Sequence, residues 1–319
     1  MPRPFRFLPP LTGLLAATML MLAGCQRATE ESPAPGGHSP TAAIRQLIDD
    51  LHHDDLVAFW KHGLPPAEHA ALVARWASGQ AAQVPTDVAR RGYRQWMGSL
   101  TGPGARPALA QRLQQQARRI DRRYGDQIPV LIAIGGALAR RTVATDLALT
   151  PRQEQGLADL LAPMMAWAQR APWLDGGRVG QTAAVAVDTA RSLGLATLAD
   201  LRALDFADAM AKASRLWAGA KQALAPYGLS LDAMLGSATV TLVSQRDDTA
   251  HVRIDYRLKD RPQQVVVKMQ AVDGRWYPTA LGQIAGHLAP PDWGTWWAPI
   301  GGRPNRSTTG RDMSASPVQ

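Results

Sequence analysis

The chain has 319 residues, 46% of them apolar and 19% charged, a length at which one large or two modest hydrophobic cores are expected. Its formal net charge is +9, and its single cysteine, Cys25, excludes an intramolecular disulfide. The fold must therefore be held by apolar burial. In chain order, Arg3 and Arg6 precede an apolar stretch from Leu11 to Leu22, and no acidic residue occurs before Glu30. That is the charged n-region and short h-region of an export signal. About a dozen apolar residues behind Pro9 and Pro10 are too few to cross a bilayer, which takes roughly 20.

Leu22, Ala23, Gly24 and Cys25 close this stretch and resemble the lipobox of bacterial lipoproteins. The resemblance implies cleavage before Cys25, a diacylglyceryl group on its thiol and an acyl group on the freed amine. Two or more chains anchor stably where one binds marginally, at about 0.8 kcal/mol per buried methylene. In many such lipoproteins an Asp after the cysteine retains the protein at the inner membrane. Gln26 stands there in this sequence, so the resemblance implies the outer membrane, on its periplasmic face. A positive excess in that compartment, +7 once Arg3 and Arg6 are removed, points to anionic neighbours such as phospholipid, lipopolysaccharide or peptidoglycan, and not to nucleic acid.

From Arg27 to Pro40 the chain is rich in Pro, Gly, Ser and Glu and reads as a flexible tether. Thr41 to Gly236 is helical in period nearly throughout. Ile44, Leu47, Ile48 and Leu51 form one apolar face; Leu56, Val57, Phe59 and Trp60 form the next. Pro66 opens a further helix, and Leu109, Leu113, Ile120 and Tyr124 mark a long amphipathic one. Ile132 to Arg141 (IAIGGALARR) reads as a buried apolar segment. Leu157, Leu160, Leu161, Met164 and Met165 mark another helix, with Pro163 a kink. Thr197 and Asp200 match a capping box, and Asp205 is the N-cap candidate of the helix carrying Phe206, Met210, Ala213, Trp217, Ala220 and Leu224.

After Gly236 the period changes to two. Val252, Ile254, Tyr256 and Leu258 alternate with His251, Arg253, Asp255 and Arg257, as in a half-buried strand. TVTLVS precedes it, QQVVVKMQAV follows, and Asp273 with Gly274 forms a tight hairpin signal before Arg275, Trp276 and Tyr277. The fold class is α+β: a mostly helical N-terminal part, then a helix packed on an antiparallel meander of three to four strands. This arrangement resembles the cystatin-like and NTF2-like modules, which implies a sheet folded around the 206–224 helix. The expected organisation is a signal over 1–24, a lipidated tether over 25–40, a helical domain over 41–200, an α+β module over 201–298 and a disordered tail over 299–319.

Catalytic and metal motifs are weak. His52, His53, Asp54 and Asp55 are consecutive and cannot share a helical face, so Asp54 or Asp55 is expected to cap the helix from Leu56; Asp49 and His53 do have ligand spacing. His62 and His69 read as ordinary surface residues. In DGGRVGQT, Asp175 and Gln181 replace the first glycine and the lysine of a phosphate loop, so the stretch reads as a helix cap. HExxH, GxSxG and SxxK do not occur. No catalytic residue, metal ligand or cofactor is assigned.

Two surface features suggest partners. Arg112, Arg119 and Arg123 line one side of a helix, able to meet anionic lipid head groups or an acidic envelope protein. Trp293, Trp296 and Trp297 crowd an irregular segment able to anchor a partner or to plug an open core. The expected function is a lipid-anchored, non-catalytic binding or assembly module. A carrier of a small apolar ligand, with a cavity between the meander and the 206–224 helix, and an envelope hydrolase are the alternatives.

Overall fold

The computed structural model describes residues 34–82, 84–146, 163–259 and 261–288. All but Ala34 belong to one compact unit, Pro35–Gln319. The signal, Cys25, the tryptophans 293, 296 and 297 and the tail over 299–319 lie outside the described residues.

Local chemistry sets the helix boundaries. Ser39 caps α1 (Pro40–His52), its hydroxyl accepting from the Ala42 N–H at 3.2 Å. Asp55 caps α2 (Leu56–Gly63) by accepting from the Ala58 N–H at 2.8 Å. Next come α3 (Pro66–Ala82), α4 (Asp87–Thr101), α5 (Ala105–Tyr124), a 3-10 turn over Gly125–Gln127 and α6 (Ile128–Asp146). A helical stretch over 163–168 precedes α7 (Gly176–Leu193), whose cap Asp175 accepts from the Arg178 N–H at 2.9 Å. The expected capping box is formed: Thr197 and Asp200 bond reciprocally at the start of α8 (Leu198–Arg202). Asp205 caps α9 (Phe206–Leu224), and α10 (Leu231–Gly236) leads into the sheet.

The strands β1 (Thr239–Arg246), β2 (Thr249–Leu258), β3 (Arg261–Val272) and β4 (Arg275–Pro278) form an antiparallel meander in sequential order, and α11 (Thr279–His287) follows. Ala250, Val252 and Leu258 are buried from one face of β2, which Arg253 and Arg257 leave for solvent. Asp273 and Gly274 turn the β3–β4 hairpin with φ of 50° and 73°, the left-handed pair such a two-residue turn demands.

One expectation about packing is corrected. The helix on the sheet is α1, not α9: Ala43, Ile44 and Ile48 pack against Val240, Val252, Met269 and Trp276. α9 instead packs through Phe206, Ala209 and Met210 onto Trp60, Leu72 and Trp76 of α2 and α3. Both helices have an apolar stripe of the right width, and the sheet takes the one nearer the amino end. The sheet's core thus crosses the division expected between 200 and 201. A separate core joins α4 to α7 and α8 through Tyr93, Met97, Ala190, Leu195 and Leu198.

The last residues of the expected tether are also held. Gly37 bridges Trp276 antiparallel, and the Arg275 guanidinium donates to the carbonyls of Pro35 and Gly36. Gly36 has φ of 69°, and a Cβ there would lie 2.6 Å from the Tyr277 ring.

Candidate interaction surface

Two buried polar clusters join neighbouring helices. Asp50 on α1 and His62 on α2 meet at 2.9 Å, carboxylate Oδ2 to ring Nδ1, with the His62 side chain 3% exposed. His62 was expected on the surface. It is buried because the α1–α2 turn folds Asp50 back onto it, and a carboxylate partner lowers the cost of burying an imidazole. Burial pushes the Asp50 carboxyl above its ordinary range, against the pull of the His62 hydrogen bond and charge. Both side chains are buried. His69, also expected on the surface, is half-buried edge-on to Phe206, and burial pulls its imidazole down.

A second cluster locks the turn between α1 and α2 onto α9. Lys221 is buried, and its Nζ donates to the His52 carbonyl at 2.9 Å, meets Asp54 Oδ1 at 2.7 Å and bonds Asp232. Beside it the Trp217 indole N–H donates to the Leu51 carbonyl at 2.9 Å. Desolvation works against the ammonium, yet the hydrogen bonds and charges of Asp232 and Asp54 hold its pKa above the ordinary lysine value. Asp49 and His53 stay exposed and pair only with each other at 3.2 Å. Among the described residues no three His, Cys, Asp or Glu side chains gather as metal ligands.

Two recesses flank the sheet. The larger, about 770 Å³, is lined by Thr239, Asp255, Tyr256, Arg257, Arg261 and Gln264 and is half polar. The other, about 460 Å³, lies between α3, β4 and α11. Neither is lined by residues of α9, where the carrier alternative places an apolar cavity; α1 packs on the sheet instead.

The surface that stands out is built from α5 and α6. Small residues let α5 approach α7: Ala105 and Ala117 are buried, and Gln114 Nε2 donates to the Gly176 carbonyl at 2.8 Å. Beyond Ala117 every residue over 118–124 is exposed. Leu109 and Leu113 are partly buried as the apolar period predicts, whereas Ile120 and Tyr124 are 44% and 40% exposed, because the helix has left the body by then. Arg112, Arg119 and Arg123 are exposed along α5, with Arg123 over the Tyr124 ring at 5.4 Å. Tyr124 then breaks the helical geometry with φ of −140°, and α6 continues after the 3-10 turn.

Searches of protein-family models, curated proteins and solved structures find no match to this chain. The surface is therefore read from its own chemistry.

On α6, Ile134 and Leu138 of the segment expected to be buried are exposed. Val130, Leu131, Ile134 and Leu138 are each more than half exposed, and their spacing of four places 130, 134 and 138 along one stripe. Gly136 is buried, and a Cβ there would strike Met165. An apolar run without polar alternation reads as core in a sequence, and here it forms an outward face. The available signal was its flanks, since arginines at 118, 119, 122 and 123 precede it and Arg140 and Arg141 follow. No described helix is long and apolar enough to cross a membrane.

Proposed function

We propose that this protein is a lipid-anchored envelope protein, facing the periplasm from the outer membrane, that serves as a non-catalytic binding or assembly module. The lipobox-like run ending in Cys25 supports the anchor, and Gln26 supports the outer-membrane address. The observation that carries the binding role is the stripe of Val130, Leu131, Ile134 and Leu138 presented to solvent. Contiguous apolar surface rimmed by charge marks a contact face, since leaving it in water forgoes burial of about 25 cal/mol per Å². Two inward ionic contacts, Asp50 with His62 and Lys221 with Asp54 and Asp232, join neighbouring elements and support the same reading.

The test is photo-crosslinking from position 131 in intact envelopes. Reproducible capture of an envelope component, lipid or protein, is expected from that position and not from an exposed control site at Arg90. Capture of nothing beyond the chain itself contradicts the proposal.

A further inference from the structure

We infer that the arm formed by the end of α5 and by α6 is a membrane-surface element that docks on an anionic phospholipid bilayer, its apolar stripe entering the acyl boundary and its arginines engaging phosphate. This names the partner of the face just described and rests on that reading only for the proximity of a membrane.

Three observations converge on this occupant. The arm has an outward face, with every residue over 118–124 exposed and Leu131, Ile134 and Leu138 facing solvent. Its charge is one-sided: from Arg112 to Arg141 there are seven arginines against Asp121 and Asp126. The apolar run follows the exposed Arg118, Arg119, Arg122 and Arg123, whose long side chains can reach head groups while the run sinks in. An apolar helix flanked by arginines, where no described helix is long and apolar enough to cross a membrane, is suited to lie in the interface.

Charge also decides between a bilayer and a second copy of the chain. Self-association through this face would bring two arginine rows together, and like charges brought together are destabilising. An anionic bilayer satisfies both the stripe and the arginines, since juxtamembrane basic residues each add to the attraction of a negative surface.

The test uses the chain from Gln26 onward, which keeps the whole compact unit but has no acyl group. It is pelleted with phosphatidylglycerol vesicles and, separately, with phosphatidylcholine vesicles. Binding to phosphatidylglycerol at least about tenfold tighter than to phosphatidylcholine is expected. Combining Leu131→Ser, Ile134→Ser and Leu138→Ser lowers it about tenfold, as does combining Arg118→Gln, Arg119→Gln, Arg122→Gln and Arg123→Gln. All these sites are exposed, and unchanged thermal melting of the apolar set confirms that folding is intact. Absence of phosphatidylglycerol binding, equal binding to both vesicles, or binding unmoved by the apolar set overturns the inference. A dimer that the apolar set converts to monomer without changing vesicle binding overturns it in favour of a second copy. Loss of acylation at Cys25 is read by a different experiment and leaves this one unaffected.

Discussion

Lys221 on α9 lies 2.7 Å from Asp54, the residue that turns the chain between α1 and α2 with a left-handed φ of 61°. The ammonium thus holds a strained turn that in turn sets how α1, the helix covering the sheet, enters α2. Lys221→Met leaves Asp54 without its cation and the His52 carbonyl without its donor. A loss of about 2 kcal/mol is expected in urea unfolding, below the range for fully buried pairs because Asp54 and Asp232 are partly solvated. Trp217→Phe, which removes only the bond to the Leu51 carbonyl, is expected to cost about 1 kcal/mol.

The Asp50–His62 pair gives a pH-dependent prediction. Burial raises the Asp50 carboxyl, so its charged form weighs against folding as pH rises, and His62 counters this. His62→Ala is expected to lower stability by about 3 kcal/mol at neutral pH and by less in acid, where the raised Asp50 carboxyl is protonated. The double variant Asp50→Asn with His62→Ala is expected to lose that pH dependence. Equal loss at both pH values in the single variant contradicts the pairing.

Tyr93 predicts the alkaline limit. Its hydroxyl, buried between α4 and α7, donates to the Leu195 carbonyl at 3.1 Å. Burial, with the charge of Asp200, pushes its pKa from 10.0 to about 12. A raised acid pKa gives stability that is whole below pH 10 and lost as pH climbs toward 12, because only unfolded chains then ionise freely. The loss is expected to be about 2 kcal/mol over that window, and Tyr93→Phe is expected to flatten it. Tyr256 and Tyr277, also raised by burial, leave a residual slope.

Local chemistry was legible in the sequence, and pairing at a distance was not. Asp55, Asp175, Thr197 with Asp200, and Asp205 all cap the helices they precede, because a cap needs only its own next three residues. The β3–β4 turn followed from Asp273 and Gly274 for the same reason. Which helix covers the sheet depends on contacts about 200 residues apart, and α1 and α9 have similar stripes, so the choice was invisible to periodicity. His62 was misplaced because its partner Asp50 is twelve residues away on another helix. The exposed face of α6 was misread as core because apolar composition alone does not say on which side of the surface a run lies.

The most direct test of the account is metabolic labelling of the expressed full chain with a palmitate analogue, beside Cys25→Ser. The label is expected on the native chain, which stays with membranes through a high-salt wash, and is expected to be absent from the variant. An unlabelled native chain, or label that persists after Cys25→Ser, contradicts a lipid anchor at that residue.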